Sequence, residues 1–230
     1  MKNVAIIPAR AGSKRILKKN IKEFDGKPII AYSILTALKS KLFEKVIVST
    51  DSNEIAEISK QFGAEIPFIR NKELSDDFAI IHDVISDAIS NLEDNNFKFD
   101  YACCIYATAP FIDENDLKMG YEIVNQNKNK IAFAASKYSY PVQRSFFIND
   151  QNHVEMLFPD EYKSRSQDLK EIFHDAGQFS WAHTDIWKSS PVPFGKNHSP
   201  VIIPAWRVQD IDNIEDWDRA ELISKLTKED

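Results

Sequence analysis

The chain has only two cysteines and six glycines in 230 residues, and it contains no long apolar run. Each shortage excludes something. Cys103 and Cys104 are neighbours, and neighbouring side chains on a strand point to opposite faces and rarely bridge. No disulfide framework is expected, and a reducing, cytoplasmic setting is the simplest expectation. No segment approaches the ~18 apolar residues of a spanning helix, and Met1 and Lys2 lead straight into a strand-like run without a signal pattern. A membrane partner is therefore not expected. Glycine is equally sparse where phosphate-binding loops need it: the opening loop holds Gly12 alone, so neither G-x-x-x-x-G-K-[ST] nor G-x-G-x-x-G is present. That argues against a Walker-type nucleotide site and against a dinucleotide-dependent oxidoreductase. Positive charge is in overall deficit too, with a net charge of −6, which argues against nucleic acid as a partner. The five histidines, His82, His153, His174, His183 and His198, show no metal-ligand spacing.

What is present is enough for a packed domain. Hydrophobic residues make up 43% of the chain and aromatics 11%, which suits one α/β domain or one such domain with a sizeable insertion. Short apolar runs at 4–8, 45–49, 101–110 and 131–136 read as strands. Between them lie helical patterns. One covers 28–38, with Pro28 in its first turn; another follows Asp51 or Ser52 as cap, buries Ile55, Ile58 and Phe62 and ends at Gly63. The clearest covers 77–92, with Ile81, Val84, Ile85, Ala88, Ile89 and Leu92 in one stripe and Ser75 or Asp76 as its cap. A further helix follows Asp113 to about Val124, and the last starts after Asp212 or Asn213. Apolar strands alternating with amphipathic helices predict a mostly parallel, helix-covered sheet, whose ligands bind beyond the C-terminal ends of the strands.

The rhythm breaks at about Lys137. From there to Gln178 the chain reads as short β-like pieces and polar turns, an insertion expected to serve as an arm for dimerisation, before "PVIIPAWRVQDID" returns to the sheet. The expected division is a nucleotide-binding core over 1–136, an insertion over 137–178, and a return to the core over 179–230.

Two stretches carry chemistry. In "VAIIPARAGSKRILKKN" a strand opens into a loop with Arg10, Lys14, Arg15, Lys18 and Lys19 and no acid, five cations within ten residues of a negatively charged protein. Small residues Ala9, Ala11, Gly12 and Ser13 leave room for close approach, so backbone N–H groups and side-chain charge together suit a polyphosphate. In "VQDIDNIEDW", alternation puts Asp210 and Asp212 on one face of an extended segment, about 6–7 Å apart, a spacing that lets two carboxylates share a hard cation. The plainer reading of that pair is a helix cap beside a solvated acid.

The stretch "IPARAGSKRILKKNIKEFDGKPIIAYSI" resembles the signature of the CMP-sugar synthetases, cytidylyltransferases that activate nine-carbon acidic sugars such as sialic acid. The matching positions are Arg10, Ser13, Lys14, Lys19 and Asn20, then "GKPIIAYSI". The resemblance implies a Rossmann-like nucleotidyltransferase fold with a β-rich dimerisation insertion, a homodimer, and transfer of CMP from CTP to the anomeric hydroxyl of the sugar with release of pyrophosphate. It implies that Arg10, Lys14 and Lys19 hold the triphosphate, that Ala9, Gly12, Ser13 and Asn20 line the nucleotide site, and that Asp210 and Asp212 hold Mg²⁺. "FIRNKELSDDFAIIHD" matches the family at Arg70 and Asp77, but Ala79 and Ile81 replace two hydroxyl residues of the sialic acid enzymes. "YATAPF" carries Tyr106 where those enzymes have a glutamine that helps recognise cytosine, so base recognition differs in detail. With "DAGQFSW" it resembles the pseudaminic acid branch of the family. "SRSQD" matches the family's R-x-Q-D, which implies sugar contacts for Arg165 and Gln167, and Gln178 is a further candidate on that side. Phe179 and Trp181 are expected in the core. The rival readings are a sialic or legionaminic acid substrate, a UTP- or GTP-using sugar-1-phosphate transferase, whose G-x-G-T-R-like loop is missing, and a catalytically silent nucleotide-binding module.

Overall fold

The structure is a computed structural model that describes residues 1–76, 78–189 and 194–227. Its strands are β1 (Asn3–Pro8), β2 (Glu23–Phe24), β3 (Lys27–Pro28), β4 (Lys45–Ser49), β5 (Tyr101–Ile105), β6 (Ile131–Lys137), β7 (Phe146–Ile148), β8 (Val154–Met156), β9 (Phe173–His183) and β10 (His198–Ile202). Its helices are α1 (Ile29–Ser40), α2 (Asn53–Gln61), α3 (Ile81–Asp94), α4 (Glu114–Gln126), α5 (Thr184–Trp187) and α6 (Ile214–Leu226).

Six strands form one sheet in the order β10-β6-β9-β5-β1-β4. The β1–β4, β1–β5 and β10–β6 junctions are parallel, while β9 runs antiparallel to both of its neighbours. A strand buried on both faces needs an unbroken apolar run, and β1 has one from Val4 to Pro8. Ala5 and Ile7 join the core under α1 and α4, whereas Val4 and Ile6 face the core under α3 and α5. Gly120 lets α4 approach the sheet closely, because a Cβ there would lie 2.8 Å from Trp181 and 2.9 Å from Phe179. Both of those aromatics are buried, as expected from the sequence.

A smaller third core has a direct bearing on the site. Ile16 of the opening loop, Phe24 and Ile29 pack against Ile211, Trp217 and Ala220. Apolar anchors thus bind the cationic loop to the acidic segment before α6, some two hundred residues away in sequence.

Several boundaries differ from the sequence reading. The strand expected over 101–110 ends at Ile105, well before Pro110. Ser33 Oγ donates to the Tyr106 carbonyl (2.7 Å) and the chain turns there. The helix expected from 77 starts at Ile81, because the Asp76 carboxylate accepts from the N–H groups of Phe78 and Ala79 (both 2.8 Å) and closes a local turn instead of capping α3. Pro28 precedes α1 rather than lying within it. Ser52, not Asp51, caps α2, and Asn213 caps α6. The return to the sheet begins at Phe173, earlier than 179, and of the last expected strand, 200–212, only Pro200–Ile202 pairs, as the end of β10. Residues 146–156 form a two-stranded antiparallel hairpin, β7–β8, apart from the main sheet.

Candidate active site

A cleft of about 440 Å³ opens beyond the C-terminal end of β1. It is lined by cations from the first loop (Arg10, Lys14, Arg15 and Lys19), with Ser13 and Asn20 beside them. Arg70, Ala79, Tyr106 and Asp212 close it from other elements. Each is placed by a local cause. Ala9, buried, donates its N–H to the Ser49 carbonyl (2.9 Å) and so extends the β1–β4 ladder by one residue before the loop departs. Asn20, also buried, donates Nδ2 to the Arg10 carbonyl (2.9 Å), closing the loop on itself. Lys18 takes φ 52°, a left-handed turn that starts the short helical segment Lys19–Ile21, and its ammonium pairs outward with Glu54 (2.7 Å). Gly12 is exposed and has nothing within 4 Å of where a Cβ would sit; neither it nor Ala9 lines the cleft.

The acidic segment reaches the same place from the other end of the chain. Ile211 is buried while Asp210 and Asp212 flank it on the open side, the alternation expected from the sequence although the segment pairs with no strand. Lys19 Nζ donates to the Ile211 carbonyl (2.5 Å) and lies 3.4 Å from Asp212 Oδ1, and Arg15 is 3.0 Å from the same oxygen. Asp212 lines the cleft; Asp210 lies beside it in sequence but outside its lining. Partial desolvation, then the neighbouring Asp212 charge, raise the Asp210 carboxyl above its ordinary range, with Lys19 and Arg15 pulling the other way. Among the described residues no three His, Cys, Asp or Glu side chains gather as a metal cluster.

Arg70 is buried and donates Nε to Ser75 Oγ (3.1 Å). Burial lowers its pKa; Asp51 and Asp87 oppose that, and Arg10 adds to it through like charge. Two guanidiniums that feel each other in one cleft favour an anion between them. Arg10 Nη1 donates to the Asp76 carbonyl (2.6 Å), which joins the opening loop to the turn before α3. The Tyr106 phenol is pushed up, first by burial and then by Cys104, Asp175 and Asp210, and so stays a neutral hydroxyl. Asp77, a position matched to the nucleotide site in the sequence, lies outside the described residues.

The three sugar-side candidates are not gathered in this cleft. Arg165 is exposed and holds Asp168 with Nε and Nη2 (2.6 and 3.2 Å). Gln167 lines a second cavity of about 280 Å³ with Tyr138, Tyr140 and Lys170. Gln178 is buried, and its Nε2 donates to the Arg207 carbonyl (2.6 Å). Sequence reasoning missed Asp51, whose carboxylate accepts the Ala11 N–H (2.9 Å) and steadies the loop. Its place just past β4, at the ligand-binding edge of the sheet, was the available signal, and a capping role masked it. It also missed Arg207 and Asp116, joined by a bidentate ion pair.

The arrangement can hold a polyanion along four loop cations and present two carboxylates at one end of it. The comparisons agree with that chemistry. The family model described as "Cytidylyltransferase" matches residues 4–204. A pseudaminic acid cytidylyltransferase of Campylobacter jejuni serotype O:2 is 45% identical over 229 residues, covering 100% of this chain and 99% of that protein. A Helicobacter pylori protein that pairs pseudaminic acid cytidylyltransferase with a UDP-sugar hydrolase is 38% identical over 212 residues, 92% of this chain and 40% of its own length. Among solved structures, CMP:2-keto-3-deoxy-manno-octonic acid synthetase complexed with CTP superposes with a TM-score of 0.71 at 16% identity, covering 99% of this chain and all of that one, a likeness of fold. From the cleft, the sheet that builds it and a match that spans the chain, this protein belongs to the cytidylyltransferase family.

Proposed function

We propose that the protein transfers CMP from CTP to the anomeric hydroxyl of pseudaminic acid, giving CMP-pseudaminic acid and pyrophosphate. The observation that carries this reading is the convergence of Arg10, Lys14, Arg15, Lys19 and Arg70 on one cleft, in a chain 45% identical along its whole length to a pseudaminic acid cytidylyltransferase.

In such a transfer the hydroxyl attacks the α-phosphorus in line and negative charge grows on the departing pyrophosphate. Cations already fixed where that charge develops stabilise the transition state without reorganising, and fixed geometry lowers the entropic part of the barrier. Arg10 and Lys14 take that role, with Lys19 at the acidic end and Ser13, Asn20, Arg70 and Tyr106 around the nucleotide. Asp77 joins them by its match to the family pattern, and Ala9 and Gly12 act through the loop backbone. Asp210 and Asp212, on the open side of buried Ile211, fit Mg²⁺, which takes oxygen donors and is commonly held by one or two carboxylates plus substrate phosphates. Bound there, Mg²⁺ supplies charge neutralisation on the triphosphate.

Arg165, Gln167 and Gln178 are assigned to the sugar side, with the 137–178 segment as the arm that brings them there. The same arm is the proposed homodimer contact: Phe146, Phe147, Ile148 and Val154 are all exposed on the β7–β8 hairpin, an apolar patch that suits a protein interface. Cys103 and Cys104 are free and buried, which fits a reducing cytoplasmic setting.

The test is pyrophosphate release with Mg²⁺ and each nucleoside triphosphate against pseudaminic, legionaminic and sialic acids. Release with CTP and pseudaminic acid alone is expected. Release with sialic acid instead would overturn the substrate, and silence with every pair despite CTP binding would overturn the transfer reading.

A further inference from the structure

Between Ile203 and Ile211 the chain crosses open ground. Ile203 N–H still donates to the Ala135 carbonyl at the sheet (2.9 Å), and Ile211 is buried under α6, but the only regular structure between them is a single helical turn, Ala205–Arg207. This stretch delivers Asp210 and Asp212 to the cleft, so something has to set its path.

Arg207 supplies that constraint in two directions. Its guanidinium grips Asp116 with both arms, Nη1 to Oδ2 at 2.5 Å and Nη2 to Oδ1 at 3.1 Å, and the Asp116 side chain is only 4% exposed. Asp116 lies in the first turn of α4, where the helix dipole favours a carboxylate, and the planar guanidinium fork matches that carboxylate in one orientation. In the other direction, the Arg207 carbonyl accepts from Gln178 Nε2 (2.6 Å). A carbonyl accepts only from the NH₂ end of an amide, so this bond decides which way Gln178 faces. Its Oε1 is left buried and without a hydrogen-bond partner among the described residues. The Gln178 backbone is itself fixed to the cleft wall, since its carbonyl accepts the N–H of Tyr106 (2.9 Å).

We propose that Arg207 is a positioning residue: paired with Asp116, it sets where the Asp210–Asp212 segment lies beside the nucleotide cleft and turns Gln178 to offer an acceptor. The proposal rests on the transfer reading above and adds a recognition statement to it. An acceptor at Gln178 selects a hydrogen-bond donor on the sugar acid, a hydroxyl or an acylamino N–H. A buried ion pair contributes little net stability compared with apolar side chains of the same volume, so orientation is the property that this pair supplies and an apolar pair does not.

The experiment uses the full chain with Asp116→Asn, Arg207→Lys and the double change Asp116→Leu/Arg207→Met. It measures kcat, KM for CTP and for pseudaminic acid, thermal midpoint, and amide hydrogen exchange without substrates. The single variants are expected to lose about 10- to 100-fold in kcat and to raise KM for the sugar, and for CTP as well, because the displaced segment carries Asp210 and Asp212 and meets Lys19 of the phosphate-binding loop. Exchange should accelerate in 205–212 and stay unchanged in β1 and β5. The double variant should regain the wild-type midpoint yet keep the low kcat and the fast exchange. Recovery of full kcat by the double variant, or unchanged kcat in both single variants, would overturn the proposal. A wild-type enzyme that releases no pyrophosphate would end the transfer reading instead. The exchange comparison then still decides the tether: acceleration confined to 205–212 supports it, and unchanged exchange there overturns it.

Discussion

Within a single loop, neighbouring lysines and arginines do different work. Arg10 lines the cleft and faces the charge of Arg70, while Lys18 turns away to Glu54 and takes no part in the lining. Arg10→Ala is therefore expected to lower kcat/KM for CTP by about 10²- to 10³-fold, the usual loss on removing one fixed charge-stabilising donor. Lys18→Ala should stay within about twofold, since an exposed ion pair contributes little. Steady-state kinetics of the two variants side by side checks both, and equal losses would show that loop charge acts only in bulk. Arg10, Lys14, Lys19 and Asp212 were legible in the sequence because their chemistry is local: a cluster within one loop and an alternating acid pair. The Arg207–Asp116 pair was not legible, because its partners stand 91 residues apart and each reads alone as an ordinary surface charge. Asp51 was legible as a residue but not as a loop anchor, since acid before a helix reads first as a cap.

The elements were legible where period and burial agree. β1, β4 and β6 are continuous apolar runs, and the α3 stripe is unbroken, so each was readable without a partner in view. β9 was not. Its eleven residues mix buried and exposed positions, its pairing with β6 slips in register between Phe133 and Ala135, and Gly177 takes φ +59°. A register shift of this kind erases the two-residue alternation that marks a strand. The last helix carries a prediction of its own. Asn213 Oδ1 accepts the Asp216 N–H (3.0 Å) and the Asp216 carboxylate accepts the Asn213 N–H (3.1 Å), a reciprocal cap. Asn213→Ala should cost about 1 kcal/mol in urea unfolding. For Asp216, slight burial pushes the carboxyl up, but the N–H groups of Asp212 and Asn213 and the charge of Arg219 outweigh it and hold it below the usual carboxylate range. A depressed carboxylate stabilises the fold fully above its unfolded pKa and loses that contribution as pH falls through the folded one. The thermal midpoint of the wild type should therefore fall more than that of Asp216→Asn between about pH 5 and pH 3. Parallel curves would contradict the assignment.

At the scale of the molecule, one sheet and one small core bring the two ends of the sequence together, and the β7–β8 hairpin lies outside the main sheet with apolar residues exposed. Phe147 is 47% exposed and Ile148 62%, and a two-stranded hairpin of three-residue strands is marginal in water by itself, so a partner over this apolar patch is expected. Sedimentation should find a dimer for the wild type and a monomer for Phe147→Lys/Ile148→Asp. A wild-type monomer, or a dimer that survives both changes, would remove the hairpin from the interface. The proposed function requires the cleft beyond β1 to hold the triphosphate of CTP. The most direct measurement is a crystal structure of the protein with CTP and Mg²⁺. Phosphate oxygens are expected within hydrogen-bond reach of Arg10 and Lys14, with the metal on Asp210 and Asp212. A triphosphate seated elsewhere, with Arg10 still bonded to the Asp76 carbonyl and the acid pair bare, would contradict it.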